Sequence, residues 1–249
     1  MSAYETFASV YDLFMEQVEY DEWLDHIHAV WKKYGITPKT ILDLGCGTGS
    51  ILLPLAQEGF DVIGVDLSPE MLTEADHKAM EAGVSVRLAC QDMTELDLGE
   101  QADCILSLCD CMNYLIEDGQ LESAFQSIAA HMKKESLFLF DMNTEYKYTH
   151  LLADGTFAEN REESSFIWEN FYDEDERINE YDLTLFIKEG ELFRKFEETH
   201  YQRCYSLDEV KEAAKEAGME FVAAYDAFTR KQVKDDSERV YLVFRERGK

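Results

Sequence analysis

Apolar positions change their period three times along the chain. Between Tyr4 and Tyr34 they fall at Phe7, Val10, Tyr11, Phe14, Trp23, Ile27, Val30 and Trp31, at the spacing of a helix face. One or two amphipathic helices are expected there, ended by Gly35 and Pro38. From Thr40 the pattern turns to short, continuously apolar runs separated by helical stretches. TILDL, DVIGVD, VSVRLAC, ADCILSLC and ESLFLFDM read as strands, and SILLPLAQEG, SPEMLTEADHKAMEAG and GQLESAFQSIAAHM as the helices between them. Ser68 is a helix cap, Pro69 suits the first turn, and Gly83 ends that helix. Strands without a polar side belong to a parallel sheet covered on both faces. With right-handed crossovers, the expected fold is a doubly wound α/β sheet.

A third pattern begins near Phe157. Three aromatic, β-rich runs, SSFIWENFY, NEYDLTLFIK and ELFRKFEETHY, are separated by the acidic turn DEDE and by Glu189-Gly190, the layout of an antiparallel meander. A helix capped by Ser206 and ended by Gly218 then leads into EFVAAY and RVYLVFRE, which bring the main sheet to seven strands. The expected organisation is a helical cap over 1–38, an α/β domain over 39–150 and 202–249, and an antiparallel β insertion over 151–201. The insertion is placed to cover the carboxyl ends of the main sheet, where ligands of open α/β sheets bind. Its aromatic residues, among them Phe166, Trp168, Phe171, Tyr172, Phe186, Phe193 and Tyr201, serve as a lid or pack against the sheet or another subunit. The protein is expected as a monomer or homodimer.

Composition narrows the partners. With 52 acidic against 23 basic side chains, the formal charge is −29, which opposes polyanions: nucleic-acid affinity comes largely from Lys and Arg neutralising phosphates. DNA, RNA and anionic membranes are therefore not expected as partners. The N-terminus has neither the basic segment nor the apolar core of a secretory signal, and no run is long enough to span a bilayer. The expected location is the cytoplasm. The six cysteines, at 46, 90, 104, 109, 111 and 204, form no CxxC or zinc-type spacing, and reduced thiols are expected. No metal site is expected either.

Chemistry enters at ILDLGCGTGS, where an apolar strand ends in Asp43 and glycines follow at alternate positions, Gly45, Gly47 and Gly49. Such a loop turns sharply and admits close approach of a ligand. A dinucleotide site calls for G-x-G-x-x-G, and Ser50 stands where the third glycine belongs; nor does a phosphate-loop Gly-Lys-Ser/Thr follow. The run Asp43-Leu44-Gly45-Cys46-Gly47-Thr48-Gly49 resembles the first motif of the class I S-adenosylmethionine-dependent methyltransferases, whose fold is Rossmann-like. The resemblance covers Tyr4 to Asp141 well and the rest through element order.

That resemblance implies S-adenosylmethionine as cofactor, with the glycine loop and Cys46 around its amino-acid end and Asp43 near its amine. Asp66, an acid ending the second strand, is suited to accept from two ribose hydroxyls. Leu67 and Met71 are then expected along the adenine, Asp92 at its exocyclic amine, and Met93 as a backbone contact. Cys109 and Asp110 are placed beneath the sulfonium and at the mouth of the substrate pocket. Tyr11 is expected to contact the cofactor from the N-terminal segment, with Tyr4, Trp23 and Tyr20 as second choices. Methyl transfer from a sulfonium requires chiefly positioning and desolvation, so no catalytic triad is expected. Should the acceptor need a base, the candidates are His150, His200, Tyr114, Tyr146 and Asp110. The leading reading is transfer to N or O of a neutral or cationic small molecule. A protein acceptor, and a non-catalytic S-adenosylmethionine-binding or interaction protein, are the alternatives.

Overall fold

The computed structural model describes Ala8, Tyr11, Asp12, Met15 and residues 20–227 and 229–247; Tyr4, Phe7, Val10 and Phe14 lie outside these. Its helices are α1 (Tyr20–Tyr34), α2 (Leu52–Gln57), α3 (Pro69–Ala82), α4 (Gln120–His131) and α5 (Leu207–Glu216). The strands are β1 (Thr40–Leu44), β2 (Asp61–Asp66), β3 (Arg87–Cys90), β4 (Ala102–Ser107), β5 (Met132–Asn143), β6 (Thr156–Asn160), β7 (Ser164–Asp173), β8 (Ile178–Glu189), β9 (Leu192–Arg203), β10 (Met219–Asp226) and β11 (Arg239–Glu246).

Seven strands form the main sheet in the order β10-β11-β5-β4-β1-β2-β3. β1 pairs in parallel with both β2 and β4, while β11 runs antiparallel to β5 and β10. The chain therefore leaves β1 in opposite lateral directions, and a crevice opens at the carboxyl ends of β1 and β4. Alternate residues feed the two faces. Leu42, Leu44, Phe138 and Phe140 join Phe125 of α4 on one side, and Ile41, Leu137 and Tyr241 join Trp23, Ile27 and Trp31 of α1 on the other. Each such fully buried side chain contributes about 2 kcal/mol of burial free energy.

Local signals act where expected. Ser68 Oγ accepts from Met71 N at 3.1 Å, and Gly83 closes α3 with φ 66°. Ser206 and Glu209 form a reciprocal capping box on α5. The short α2 has no side-chain cap at Ile51; its start is set by the glycine loop before it.

The second sheet has four antiparallel strands, in the order β6-β7-β8-β9, one more than the three runs predicted. β6 pairs with β7 from Thr156↔Glu169 to Asn160↔Ser165, but TFAEN is largely exposed and so carries no period-two apolar pattern. In the other three strands one face turns inward. Phe166, Trp168 and Asn170 stand in register with Leu185, Leu183 and Tyr181, and Tyr181 with His200. The opposite face leaves Phe171, Phe193 and Tyr201 exposed. β9 is tied to the turn after β4 by Asn113 Nδ2, which donates to Arg203 O at 2.9 Å, and by Arg203, which donates to Ile116 O at 2.9 Å.

Candidate active site

At the end of β1 the chain takes positive φ at Gly45, Gly47 and Gly49, with values of 69°, 53° and 85°. Gly45 N and Cys46 N donate to Val65 O at 2.8 and 3.0 Å, fastening the loop to β2. A Cβ on Gly45 would stand 2.4 Å from Cys111 Sγ, so only glycine fits there. Gly47 instead faces open space: a Cβ would meet nothing within 4 Å. Gly49 packs on Leu53 and Ala75 and starts α2 by accepting from Leu53 N; it lines neither of the two hollows described next. Thr48 Oγ1 donates to Asp12 Oδ1 at 2.6 Å, and Lys78 Nζ reaches Asp12 Oδ2 at 2.7 Å. These bonds hold the N-terminal segment against the loop, and Tyr11 beside it.

Two hollows meet at Gly45, Gly47, Tyr11 and Cys109. The smaller, about 40 Å³, is lined also by Asp43, Cys46 and Tyr20. The larger, about 580 Å³, extends from Asp66, Leu67, Met71, Gln91 and Met93 to the inner face of the second sheet. Asp66 Oδ2 accepts from Gly47 N at 2.8 Å and Oδ1 from Ser68 N at 2.9 Å, which fixes the carboxyl plane and leaves lone pairs toward the cavity. Burial raises Asp66 above the usual carboxylate range. Burial and the Asp66 charge push Asp43 up to about 8. Two acids so destabilised as anions form a receptor for a cation. The open cradle at Gly47 and this pair of carboxylate acceptors fit S-adenosylmethionine, which brings an ammonium, a sulfonium and ribose hydroxyls.

After β4, Cys109 and Asp110 both take the left-handed conformation, φ 61° and 53°, a strained pair of non-glycine residues. The turn is held by Asp110 N donating to Asp141 Oδ2 at 3.1 Å and by Arg239, which bridges Asp141 Oδ2 and Asp110 Oδ1, the latter at 2.6 Å. Gln202 Nε2 donates to Asp110 Oδ2. Burial works to raise Asp110, but the Arg239 and Lys147 charges outweigh it and hold the carboxyl below its usual range. Asp141, more deeply enclosed, rises to about 6 through burial, with Arg239 opposing and Asp110 adding. Lys147 Nζ donates to Asn143 Oδ1 at 2.8 Å, and burial together with Arg239 lowers its pKa.

Of the residues singled out in the sequence, Tyr11, Asp43, Gly45, Cys46, Gly47, Asp66, Leu67, Met71, Met93, Cys109, Asp110, Tyr114 and His200 line these hollows. Asp92 does not; its Oδ1 accepts from Thr94 N and Oγ1, both at 2.8 Å, capping a short turn, while Gln91 and Met93 on either side face the cavity. His150 is exposed and stacked on Tyr146 at 4.7 Å; neither lines a hollow. Trp23 is core, edge-on to Tyr241 at 5.2 Å, and Tyr20 lines the smaller hollow. Sequence reasoning missed Lys147, Asn143, Tyr181, Gln202 and Arg239. Arg239 carried a signal: a charge opening an otherwise buried strand requires a carboxylate partner.

Residues 41–135 match the family model described as a methyltransferase domain. A protein from Geobacillus sp. (strain WCH70) named "Putative methyltransferase" is 37% identical over 242 residues, 96% of this chain and 98% of that one. A solved S-adenosylmethionine-dependent methyltransferase from Clostridium acetobutylicum ATCC 824 superposes with a TM-score of 0.90 at 30% identity, over 98% of this chain and 99% of that one. The dTDP-3-amino-3,4,6-trideoxy-alpha-D-glucopyranose N,N-dimethyltransferase of Streptomyces venezuelae is 30% identical over 150 residues, 59% of this chain and 60% of its own. With its alternating glycines on β1, the acid ending β2 and this whole-length likeness, the chain belongs to the class I S-adenosylmethionine-dependent methyltransferases, and S-adenosylmethionine is its cofactor.

Proposed function

We propose that the enzyme transfers the methyl group to a nitrogen or oxygen atom of a small molecule held between the glycine loop and the second sheet. One observation carries this reading: the cavity is continuous from Asp66 to Trp168, and its far wall is built by Phe166, Trp168, Tyr181 and Leu183 of β7 and β8. A volume of about 580 Å³ lies within the usual range of small-molecule sites. The Streptomyces venezuelae relative, named for a sugar-nucleotide amine, supports an acceptor of this size. In this reading the strands of residues 151–201 are a lid, and a protein acceptor, which needs an open groove, is disfavoured.

The bound cofactor supplies an electrophilic methyl group on a sulfonium that leaves as a neutral thioether. Asp43 and Tyr11 hold its amino-acid end, Asp66 its ribose, and Leu67, Met71 and Met93 its base. Cys109 and Asp110 mark the passage to the acceptor half, where Asp110 and Asp141 face Arg239 and Lys147. Opposed charges cancel there, while the protein as a whole is strongly acidic. Both features favour a neutral or cationic acceptor. The aromatic wall excludes water, which strengthens every polar contact made within. Incubation with S-adenosylmethionine and a panel of amino sugars, aliphatic amines and phenols, read by mass spectrometry, tests the proposal. A methylated product from one class supports it; methylation confined to added polypeptide refutes it.

A further inference from the structure

On the inner face of the second sheet four polar side chains form one chain of contacts. Glu198, His200 and Tyr181 stand on that face, Tyr181 directly across from His200 in the β8–β9 register. Their rings stack with centroids 4.7 Å apart and 12° between planes. His200 Nε2 lies 3.3 Å from Glu198 Oε2, His200 Nδ1 lies 3.3 Å from Tyr114 Oη, and Tyr114 Oη lies 2.6 Å from Tyr181 Oη. The His200 and Glu198 side chains are 1% and 7% exposed, so the pair sits away from bulk water. Tyr114, Tyr181 and His200 line the cavity's acceptor half.

The direction of these hydrogen bonds follows from their ends. An ionised Glu198 only accepts, so His200 Nε2 carries the hydrogen and Nδ1 is left as a lone pair. Tyr114 then donates to Nδ1, and Tyr181 donates to Tyr114. Each hydroxyl hydrogen is then committed along the chain toward His200, and the Tyr181 oxygen keeps lone pairs for a group bound in the cavity that Tyr181 lines. Burial keeps Tyr181 above its ordinary range, so it stays a neutral phenol. The charged and titratable groups around it are His200, Tyr114, Asp110, Glu198 and Cys111.

Resting on the methyltransferase reading above, we infer that Tyr181, Tyr114, His200 and Glu198 form a proton relay that takes the acceptor's proton as methyl transfer proceeds. The acceptor's lone pair forms the bond to the methyl carbon as the carbon–sulfur bond breaks, its electron pair staying on sulfur. The proton on the attacking nitrogen or oxygen passes to Tyr181 Oη, the Tyr181 proton to Tyr114 Oη, and the Tyr114 proton to His200 Nδ1. The positive charge lost from sulfur reappears as imidazolium beside Glu198. Tyr181 is the group that meets the acceptor; Glu198 is a positioning residue acting through His200.

The test needs no acceptor. The full chain labelled with ¹⁵N-histidine is examined by long-range imidazole NMR with S-adenosylhomocysteine as the added probe, and the His200 signal is assigned with a His200→Gln variant. The relay requires the Nε2–H tautomer with Nδ1 bare. It also requires that Glu198→Gln move the Nε2 resonance and Tyr114→Phe the Nδ1 resonance, each variant acting at its own ring nitrogen. A cluster that is merely packed, without these hydrogen bonds, gives neither the nitrogen-specific changes nor a fixed tautomer. The Nδ1–H tautomer, or ring nitrogens unmoved in both variants, overturns the relay whether or not the probe binds. Failure of unmodified protein to bind the probe overturns the cofactor reading instead, so the two failures are told apart.

Discussion

Cofactor binding should release a proton, because of where the fold puts Asp43. In the free enzyme burial and the neighbouring Asp66 charge push this carboxyl up to about 8, against roughly 3.9 in an unfolded chain. Between about pH 4 and pH 8 the folded state therefore binds more protons than the unfolded state, and the free enzyme loses stability as pH rises through that window. An ammonium arriving beside Asp43 reverses the balance and selects the ionised carboxylate. At a pKa near 8 the ionised fraction of Asp43 is about 0.01 at pH 6, about 0.1 at pH 7 and about 0.5 at pH 8, while the cofactor's own amino group, with an ordinary pKa of about 8, is charged to about 0.99, about 0.9 and about 0.5. Affinity should therefore rise roughly eightfold and then roughly threefold, and turn down above pH 8. At pH 7 binding should release a net of about 0.8 of a proton, since the amine takes up about 0.1. Titration calorimetry in phosphate and in Tris reads this directly, as an apparent enthalpy that differs by that fraction of the difference in buffer ionisation enthalpies. Asp43→Asn abolishes both the proton release and the rise in affinity with pH. Equal enthalpies in the two buffers, with affinity flat from pH 6 to 8, would refute the placement of the amine at Asp43.

Other perturbations probe separate parts of the site. Gly45→Ala combines a positive φ with overlap against Cys111 Sγ; a loss of about 1–3 kcal/mol in denaturant unfolding and loss of cofactor binding are expected. Asp66→Asn removes the charge and leaves only one oxygen to accept from Gly47 N and Ser68 N, so it loosens the loop as well as the ribose contact, weakening the cofactor Kd roughly tenfold to a hundredfold in calorimetry. Arg239→Met leaves Asp110 and Asp141 without their shared cation. It should cost about 3–5 kcal/mol, seen as a fall in Tm of about 6–20 °C, and Arg239→Lys should recover only part because it cannot bridge both acids as a fork.

Much of the main sheet was legible because its signals are local. Continuous apolar strands, the Ser68–Pro69 start and Gly83 stop of α3, and the Ser206 capping box each act within a few residues. The clustering of the glycines, Asp43 and Asp66 was legible for the same reason: they sit at the ends of adjacent strands that pair residue by residue from Thr40↔Asp61. The acceptor half was not, since it is assembled across long separations. Arg239 reaches Asp110 over 129 positions and Gln202 reaches it over 92; no periodicity encodes such pairs. Asp92 shows a local use that the sequence reading did not foresee: its Oδ1 caps its own turn, as Asp side chains commonly do. Of the proposed bases, His150 is exposed on a π-helical turn over Lys147–Leu152 and Tyr146 stands just before it, while that turn brought Lys147 inward instead.

The most direct test of a small-molecule acceptor is to incubate the enzyme and isotopically methyl-labelled S-adenosylmethionine with a cell extract divided by filtration into small molecules and macromolecules. The cavity beneath the second sheet predicts enzyme-dependent label in the small-molecule fraction, lost with Asp66→Asn. Label appearing only in protein or RNA would contradict it.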